Sequence, residues 1–436
     1  MASKKTRTKP PRGRPVSTST LSQPVVEDAS YLTALSSFSP KGNLFAFLSL
    51  AVDKHRLRVY DTISGQSVGE HVLDSARVTA LTWSTFEPSK GPSLDDPDAP
   101  PNKKKRKKRN SEAAEESLQN RGIDVVVLGL SDGTVLLFSP AHGRILRTLS
   151  HSTSAAAILS VVVVCENGDK QNVWTSGADG TIRLWDSQKN DLLGSWKNDD
   201  RIPYSSMAVR PGPSGDPVEM LVANYGIRLL STSSSDASES VFDSQKYKQL
   251  AAFTGHASSI KHLQWDVSQE PTSSRFLSIA EGDRFVYIWE VPDTSQSRSS
   301  FPEGKIVASI PLDSDARSIS LSISPSTSPT SPSTSITERQ TLLTLAASGK
   351  ISVFPIPTEL VPPANSNRTQ HKVPTLLPRS NLSVVSRKGS SSAQVVGASF
   401  ALREEGHIRI ARIVAGVRPV FDLVVRDLNT HRGHSS

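Results

Sequence analysis

The chain carries a single cysteine, Cys165, in 436 residues, which excludes an intrachain disulfide framework and a cysteine-rich zinc site and makes a reduced, intracellular setting the expectation. It has no apolar run of about 18 residues, and residues 1–15 are basic and proline-rich with no apolar stretch behind them, so neither a spanning helix nor a secretory leader is expected. Aromatic residues are 6% of the chain, so a core has to be built mainly from Val, Leu, Ile and Ala, which suits stacked sheets. Catalytic signatures are missing as well. No Gly-x-Ser-x-Gly turn accompanies the grouped Ser, His and Asp residues described below, no phosphate-cradling Gly-x-x-x-x-Gly-Lys and no Gly-x-Gly-x-x-Gly occurs, and the remaining histidines are scattered without metal spacing. The expectation is a protein that is not an enzyme and takes no cofactor, metal or small-molecule substrate.

What is present is charge in two places. The net charge is +8, but Lys4, Lys5, Arg7, Lys9, Arg12 and Arg14 supply six of those charges before residue 20, with no acid among them. The segment 87–120 holds eight bases and seven acids, which leaves +1 for everything else, so composition does not imply a uniformly basic face. Residues 1–20 therefore read as a disordered basic arm. Within 87–120, seven consecutive bases, Lys103, Lys104, Lys105, Arg106, Lys107, Lys108 and Arg109, match a nuclear or nucleolar targeting signal read by an import receptor. They could also neutralise nucleic-acid phosphates, or form a solvated loop screened by the flanking acids. No aromatic residue is interleaved, so base stacking by this run is not expected.

Six segments repeat one strand signature: 56–61 (Arg-Leu-Arg-Val-Tyr-Asp), 134–139 (Thr-Val-Leu-Leu-Phe-Ser), 181–186 (Thr-Ile-Arg-Leu-Trp-Asp), 226–231 (Gly-Ile-Arg-Leu-Leu-Ser), 285–290 (Phe-Val-Tyr-Ile-Trp-Glu) and 350–355 (Lys-Ile-Ser-Val-Phe-Pro). Each alternates side chains with period two and usually follows a Gly- or Asp-bearing turn. The spacing is close to the length of one four-stranded propeller blade. With the runs between them, the segments predict seven units of three inner strands: an all-β, seven-bladed β-propeller over residues 21–430, with the arm before it and a tail at 431–436. Two insertions interrupt it, the disordered charged segment 87–120 and a Ser/Thr/Pro-rich loop at 324–338. One outer strand is missing from the count, and residues 21–26 are the candidate that closes the last blade. Ser324, Ser328 and Ser331 each precede a proline, so that loop reads either as a site of proline-directed phosphorylation or as an ordinary flexible insertion.

The segment 177–186 (Gly-Ala-Asp-Gly-Thr-Ile-Arg-Leu-Trp-Asp) resembles the ending of a WD repeat, and Gly255-His256 the dipeptide that commonly begins one. In WD repeats a His, a Ser or Thr, an Asp and a Trp are hydrogen-bonded to brace a blade. That resemblance assigns structural positions to His256, Ser278, Asp283 and Trp289 in the fifth blade. In the third it assigns His151, Thr175 or Ser176, Asp179 and Trp185. The grouping resembles a Ser-His-Asp hydrolase constellation, but it recurs by repeat position, which favours bracing.

More narrowly, the chain resembles the WD-repeat propeller of the fifth UTP protein, a subunit of the transcription-linked UTP-A group of the small-subunit processome. The resemblance rests on 38–47 (Phe-Ser-Pro-Lys-Gly-Asn-Leu-Phe-Ala-Phe), 226–229 (Gly-Ile-Arg-Leu), 252–257 (Ala-Phe-Thr-Gly-His-Ala), 397–400 (Gly-Ala-Ser-Phe), 407–412 (His-Ile-Arg-Ile-Ala-Arg) and 418–421 (Arg-Pro-Val-Phe). It implies a non-enzymatic nucleolar scaffold acting in small-subunit processome assembly and pre-18S rRNA processing, with coupling to rRNA transcription. Implied partners are the other UTP-A subunits, pre-rRNA and a nuclear import receptor, with no membrane. A helical domain follows the propeller in that family, whereas this sequence ends at Ser436, so the resemblance implies a fragment or a shortened form. The alternative is a WD-repeat substrate adaptor or a chromatin-associated peptide-binding module.

Overall fold

The computed structural model describes residues 35–51, 54–74, 76–86, 123–150, 156–166, 170–198, 201–210, 218–232, 248–266, 275–292, 302–312, 316–323, 340–346, 350–356, 373–378, 380–383, 393–400, 407–414 and 418–425. Among these residues every regular element is a strand. Sheet 1 joins β1 (Ser36–Phe38), β2 (Leu44–Ala51), β3 (Lys54–Asp61) and β4 (Ser67–Leu73). Sheet 2 joins β5 (Val78–Phe86), β6 (Ile123–Leu130), β7 (Val135–Ser139) and β8 (Arg144–Leu149). In sheet 3 lie β9 (Ile158–Glu166), β10 (Lys170–Gly177), β11 (Thr181–Asp186) and β12 (Asp191–Lys197). Sheet 4 has β13 (Ser206–Arg210), β14 (Glu219–Ala223), β15 (Ile227–Ser231) and β16 (Lys248–Phe253). Sheet 5 has β17 (Ile260–Trp265), β18 (Arg275–Ala280), β19 (Phe285–Glu290) and β20 (Lys305–Pro311). Sheet 6 has β21 (Ala316–Ile323), β22 (Gln340–Ala346), β23 (Lys350–Ile356) and β24 (Ser380–Ser383), and sheet 7 has β25 (Ala393–Phe400), β26 (His407–Val414) and β27 (Arg418–Val425). Strands follow one another across each sheet in chain order, all antiparallel.

The alternating signature segments are the third strands of their sheets. Their apolar positions enter layers shared with the neighbouring sheet. Leu57 and Val59 of sheet 1 pack with Trp83, Val126 and Leu128 of sheet 2. Trp185 packs against Val135 and Leu137, and Trp289 lies among Leu229, Phe253 and Phe276. Sheets 5 and 6 meet through Ile288, Ile310, Phe354 and Ile356. Burial of such side chains contributes roughly 1.5–3 kcal/mol each relative to exposure, so the interfaces between sheets are where the stabilisation lies.

The first and last sheets of the chain also pack on each other. β1 lies beside β25, and Phe45 and Phe47 are buried against Ala411 and Ile413. The Phe421 ring meets Phe45 edge-on at 5.6 Å, and the Arg409 guanidinium donates to Thr62 Oγ1 at 3.2 Å across the same seam. Sheet 7 has three strands among the described residues. Residues 21–26, expected to supply its fourth, lie outside them, as do the arm, the two insertions and the tail.

The three inner strands of each unit fall on the first three strands of each sheet, while the outer strands β4, β8, β12, β16, β20 and β24 are not marked by the repeated signature. Sequences such as Ser-Val-Gly-Glu-His-Val-Leu in β4 are half-exposed edge strands with weak alternation, and pairing on one side only relaxes the demand for apolar residues.

Candidate functional site

Antiparallel order gives the stack two faces. On one, the turn between the second and third strands of a sheet bonds to the connector entering the same sheet or the next: Ser131 N–H donates to Arg77 O, Ala178 N–H to Ala157 O, Glu281 N–H to Ser259 O, and Ile260 N–H to Asn224 O. Those turns are short. Gly133 and Gly180 hold equivalent places in them, with φ of 84° and 73°, and Gly282, one place earlier in its turn, has φ of 74°, values that a side chain would disfavour. On the other face lie the connectors from first to second and from third to fourth strand, which also bond to each other, as Thr62 N–H does to Asn43 O and Thr232 N–H to Val218 O. The long insertions leave from this face. Phe86 and Ile123 are partners in the β5–β6 register, so the segment bearing Lys103, Lys104, Lys105, Arg106, Lys107, Lys108 and Arg109 departs from and returns to one point on it. Those seven residues lie outside the described ones.

The mouths of these insertions are clamped by polar pairs. Thr85 Oγ1 donates to Asp124 across the 87–122 mouth. Arg210 Nε donates to Glu219 Oε2 at 2.7 Å, and its guanidinium lies 4.1 Å from the centre of the Trp265 ring. Asp266 and Arg275 form an ion pair at 2.8 Å with both side chains nearly inaccessible. A long connector adds little closure cost once its ends are fixed, which is how this face carries several.

In sheet 5, His256 Nδ1 lies 2.5 Å from Asp283 Oδ2, and His256 Nε2 lies 2.6 Å from Ser278 Oγ. The Trp289 indole N–H donates to the same Ser278 Oγ at 2.7 Å. The four residues thus tie the connector from sheet 4, the second strand, the following turn and the third strand of one sheet. Ser278 is 0% exposed and Trp289 1%, so the hydroxyl is held between two partners with no approach for a substrate. This geometry braces and does not attack. Burial, and then the Asp283 carboxylate, push the neighbouring Tyr287 phenol above its ordinary value.

Sheet 3 holds a variant. The Trp185 indole donates to Thr175 Oγ1 at 3.1 Å, while Ser176 Oγ donates to the Tyr204 carbonyl instead. Asp179 pairs with Arg183 at 2.6 Å and accepts from the Thr181 N–H. Burial opposes ionisation of Asp179, but the Arg183 hydrogen bond and charge outweigh it and hold the carboxyl below its usual range. His151 lies outside the described residues.

Sequence reasoning missed the contacts that join one sheet to the next. Trp83 donates its indole N–H to Ser37 O of sheet 1, and Trp265 does the same to Ala208 O of sheet 4. Each tryptophan is the sixth residue of a first strand, which is a repeat signal visible in the sequence. Thr79 Oγ1 reaches Gly129 O of its own sheet and Ile158 O of the next, and Ser205 Oγ reaches Ala223 O and Ile260 O in the same way.

Repeated four-stranded antiparallel sheets, braced inside by buried polar chains and joined by indole and hydroxyl contacts, define an all-β protein whose architecture is consistent with WD-type blades. The chain is similar, as a distant relative, to the "U3 small nucleolar RNA-associated protein 5" of Saccharomyces cerevisiae, 21% identical over 267 residues, covering 59% of this chain and 33% of the yeast protein. It is also similar to "Telomerase protein component 1" of Mus musculus, 24% identical over 200 residues, and of Rattus norvegicus, 22% identical over 200 residues, in each case over 43% of this chain and 7% of the other. The matched region is thus a third or less of each of these relatives. No protein-family model matches the chain.

Proposed function

We propose that the chain is a non-enzymatic scaffold of ribosome biogenesis, acting in the nucleolus in small-subunit processome assembly and pre-18S rRNA processing, with coupling to rRNA transcription. The observation that carries this is the similarity to the yeast U3 small nucleolar RNA-associated protein 5 across 59% of the chain. The seven sheets are read as the blades of one closed WD-repeat propeller. The packing of sheet 1 on sheet 7 supports that reading, and residues 21–26 complete the last blade. Other UTP-A subunits and pre-rRNA are the partners. Lys103–Arg109 is the segment read by an import receptor, with phosphate contact as a second use, and its departure from the face of long connectors keeps it clear of the core. A rigid ring suits docking because the ordering cost is met in folding and not at binding.

Affinity purification of the tagged chain from nuclear extract, with and without ribonuclease, tests this. Recovery of processome subunits with the 5′ region of pre-rRNA supports it, and partners lost on ribonuclease treatment are those bridged by RNA. Recovery of ubiquitin-ligase or histone-modifying subunits in their place would keep the fold and overturn the function.

A further inference from the structure

Two outer strands carry an extra partner from the sheet that follows, and the two cases are alike. Residues 302–304, which run straight into β20 of sheet 5, lie parallel to β16 of sheet 4, with Glu303 opposite Ala252. The Ala252 N–H donates to Pro302 O at 3.3 Å and the Gly304 N–H to Ala252 O at 2.9 Å. Residues 374–376, just ahead of β24 in sheet 6, do the same to β20, with Thr375 opposite Ser309. There the Ser309 N–H donates to Pro374 O at 2.9 Å and the Leu376 N–H to Ser309 O at 2.8 Å. Each latch covers an edge that would otherwise invite pairing with another chain.

The two latches define what such a segment must be. Its first residue uses only the carbonyl, so proline, which has no N–H to leave unpaired, fits there, and its third must donate and so cannot be proline. The middle residue can be an acid: Thr254 Oγ1, two residues beyond Ala252, donates to Glu303 Oε1 at 2.5 Å. The side chain at the third position depends on the residue that follows the latched one. After Ala252 comes Phe253, whose ring leaves no room for a side chain on Gly304. After Ser309 comes Ile310, and Leu376 packs against the layer that holds it.

In sheet 2, β8 has the same place without a latch. Thr148 stands opposite Leu136 as Ala252 does opposite Arg228 and Ser309 opposite Tyr287, and all three registers slip at one point, passing over Leu146, Leu250 and Val307. Each strand starts on a base, Arg144, Lys248 or Lys305, and Ser150 holds the place of Thr254. By the observed pattern the cover would come from the connector ahead of β12. Residues 187–190 close a tight turn there, with the Asn190 N–H on Asp186 O, so nothing extends back to β8. Among the described residues no strand or bridge pairs with its outer edge, and Thr148 is exposed. From Val135 to Ser150 the chain holds Arg144 and Arg147 and no acid. In sheet 1, β4 is uncovered too, but it sets Glu70 at the latched position, where a like charge opposite would be unfavourable.

We propose that the outer edge of β8 binds an extended segment of a partner protein, laid parallel to it and reading proline, then an acid, then an apolar residue. The proline carbonyl accepts from the Thr148 N–H, and the N–H of the apolar residue donates to Thr148 O. The acid accepts from Ser150 Oγ, as Glu303 does from Thr254. Leu149, an aliphatic residue like Ile310, leaves the room that Phe253 denies Gly304, so the third residue is apolar, as Leu376 is. Arg144 and Arg147 favour an acidic segment over a basic one within about 10 Å. Strand addition of this kind takes its affinity from main-chain hydrogen bonds and its specificity from alternate side chains. The site stands apart from the ribosomal reading, since it follows from the sheet edge alone.

Saturation-transfer NMR of a short synthetic peptide with Pro-Glu-Leu at its centre, titrated against the full-length chain, tests it. Binding is expected with a Kd on the order of 1 mM or below. Replacing the peptide's leucine by proline removes a donor and should weaken binding about fivefold or more, the worth of one hydrogen bond. Thr148→Pro removes the outward N–H, which an edge strand tolerates, and should do the same, with the urea midpoint showing that the variant is folded. Should it not fold, Ser150→Ala takes its place and is expected to weaken the glutamate peptide while leaving a glutamine version nearly unchanged. Arg144→Glu should weaken the parent peptide about twofold and favour a lysine version. No binding up to about 5 mM, equal binding of the proline-substituted peptide, or binding indifferent to both Thr148→Pro and Ser150→Ala would overturn the proposal. Poly-uridine bound in an Arg144-dependent way, with no binding of the peptide, would overturn it and assign the edge to RNA.

Discussion

Replacing Ser278 with alanine should lower stability by about 2–4 kcal/mol, although it removes one oxygen atom and hardly changes volume. Ser278 Oγ accepts from the Trp289 indole N–H at 2.7 Å and lies 2.6 Å from His256 Nε2. Both partners are shut away from water, Trp289 at 1% exposure and the His256 side chain at 1%. Leaving a buried polar group unpaired costs about 1–3 kcal/mol. Two are orphaned here, and partial relaxation keeps the total below the sum of the extremes. The assay is urea unfolding followed by tryptophan emission, with Trp289→Phe as the second arm of a double-mutant cycle. The phenyl ring keeps most of the packing against Phe253 and Phe276 and removes only the donor. The two substitutions should couple by about 1 kcal/mol or more, because they delete the same bond. A loss under about 0.5 kcal/mol for Ser278→Ala, the usual size for a surface change, or strict additivity, would refute the claim that this chain of bonds braces sheet 5.

Three further outcomes follow from the same geometry. Arg409→Met, which keeps the aliphatic stem but not the donor across the seam to Thr62, should cost about 1.5–3 kcal/mol and raise hydrogen exchange first in β2 and β26. His55 accepts the Val78 N–H on Nδ1 and is held below its ordinary value by burial and then by Arg77. Burial lowers His71 and His262 likewise. Since the unfolded chain binds these protons more readily, the stability they contribute is complete above about pH 6.5 and is lost as pH falls through the lower folded values. Urea midpoints between pH 7.5 and 5 should decline, and less so in His55→Gln. Charge reversal across Lys103–Arg109 should abolish nuclear accumulation, scored by fluorescence of a tagged chain, with an unchanged melting temperature; unaltered localisation would remove the targeting role.

The strands that proved easiest to read are those buried on both faces. In 181–186 and 285–290 the alternation, the terminal tryptophan and the preceding turn all point the same way, and the structure places each as the third strand of a four-stranded sheet. His256, Ser278, Asp283 and Trp289 were picked out by the resemblance to a WD repeat, and in sheet 5 the four are joined by hydrogen bonds. Outer strands were harder. β12, Asp-Leu-Leu-Gly-Ser-Trp-Lys, has a glycine where the Trp196 ring lies too close for a side chain, so its composition reads as a turn until that ring is in place. Joints between sheets were harder still. Thr79 and Ser205 act through backbone carbonyls of a neighbouring sheet, and a carbonyl leaves no mark on sequence. Arg409 meets Thr62 across nearly the whole chain length, a pairing that only closure of sheet 7 onto sheet 1 creates.

The central claim is a role in making the small ribosomal subunit, and pulse labelling of rRNA after depletion of the chain measures it most directly. The account predicts that mature small-subunit rRNA fails to appear and its unprocessed precursor accumulates while large-subunit rRNA continues to be made, and that the full-length chain restores the balance. Equal labelling of both rRNAs with and without the chain would contradict it.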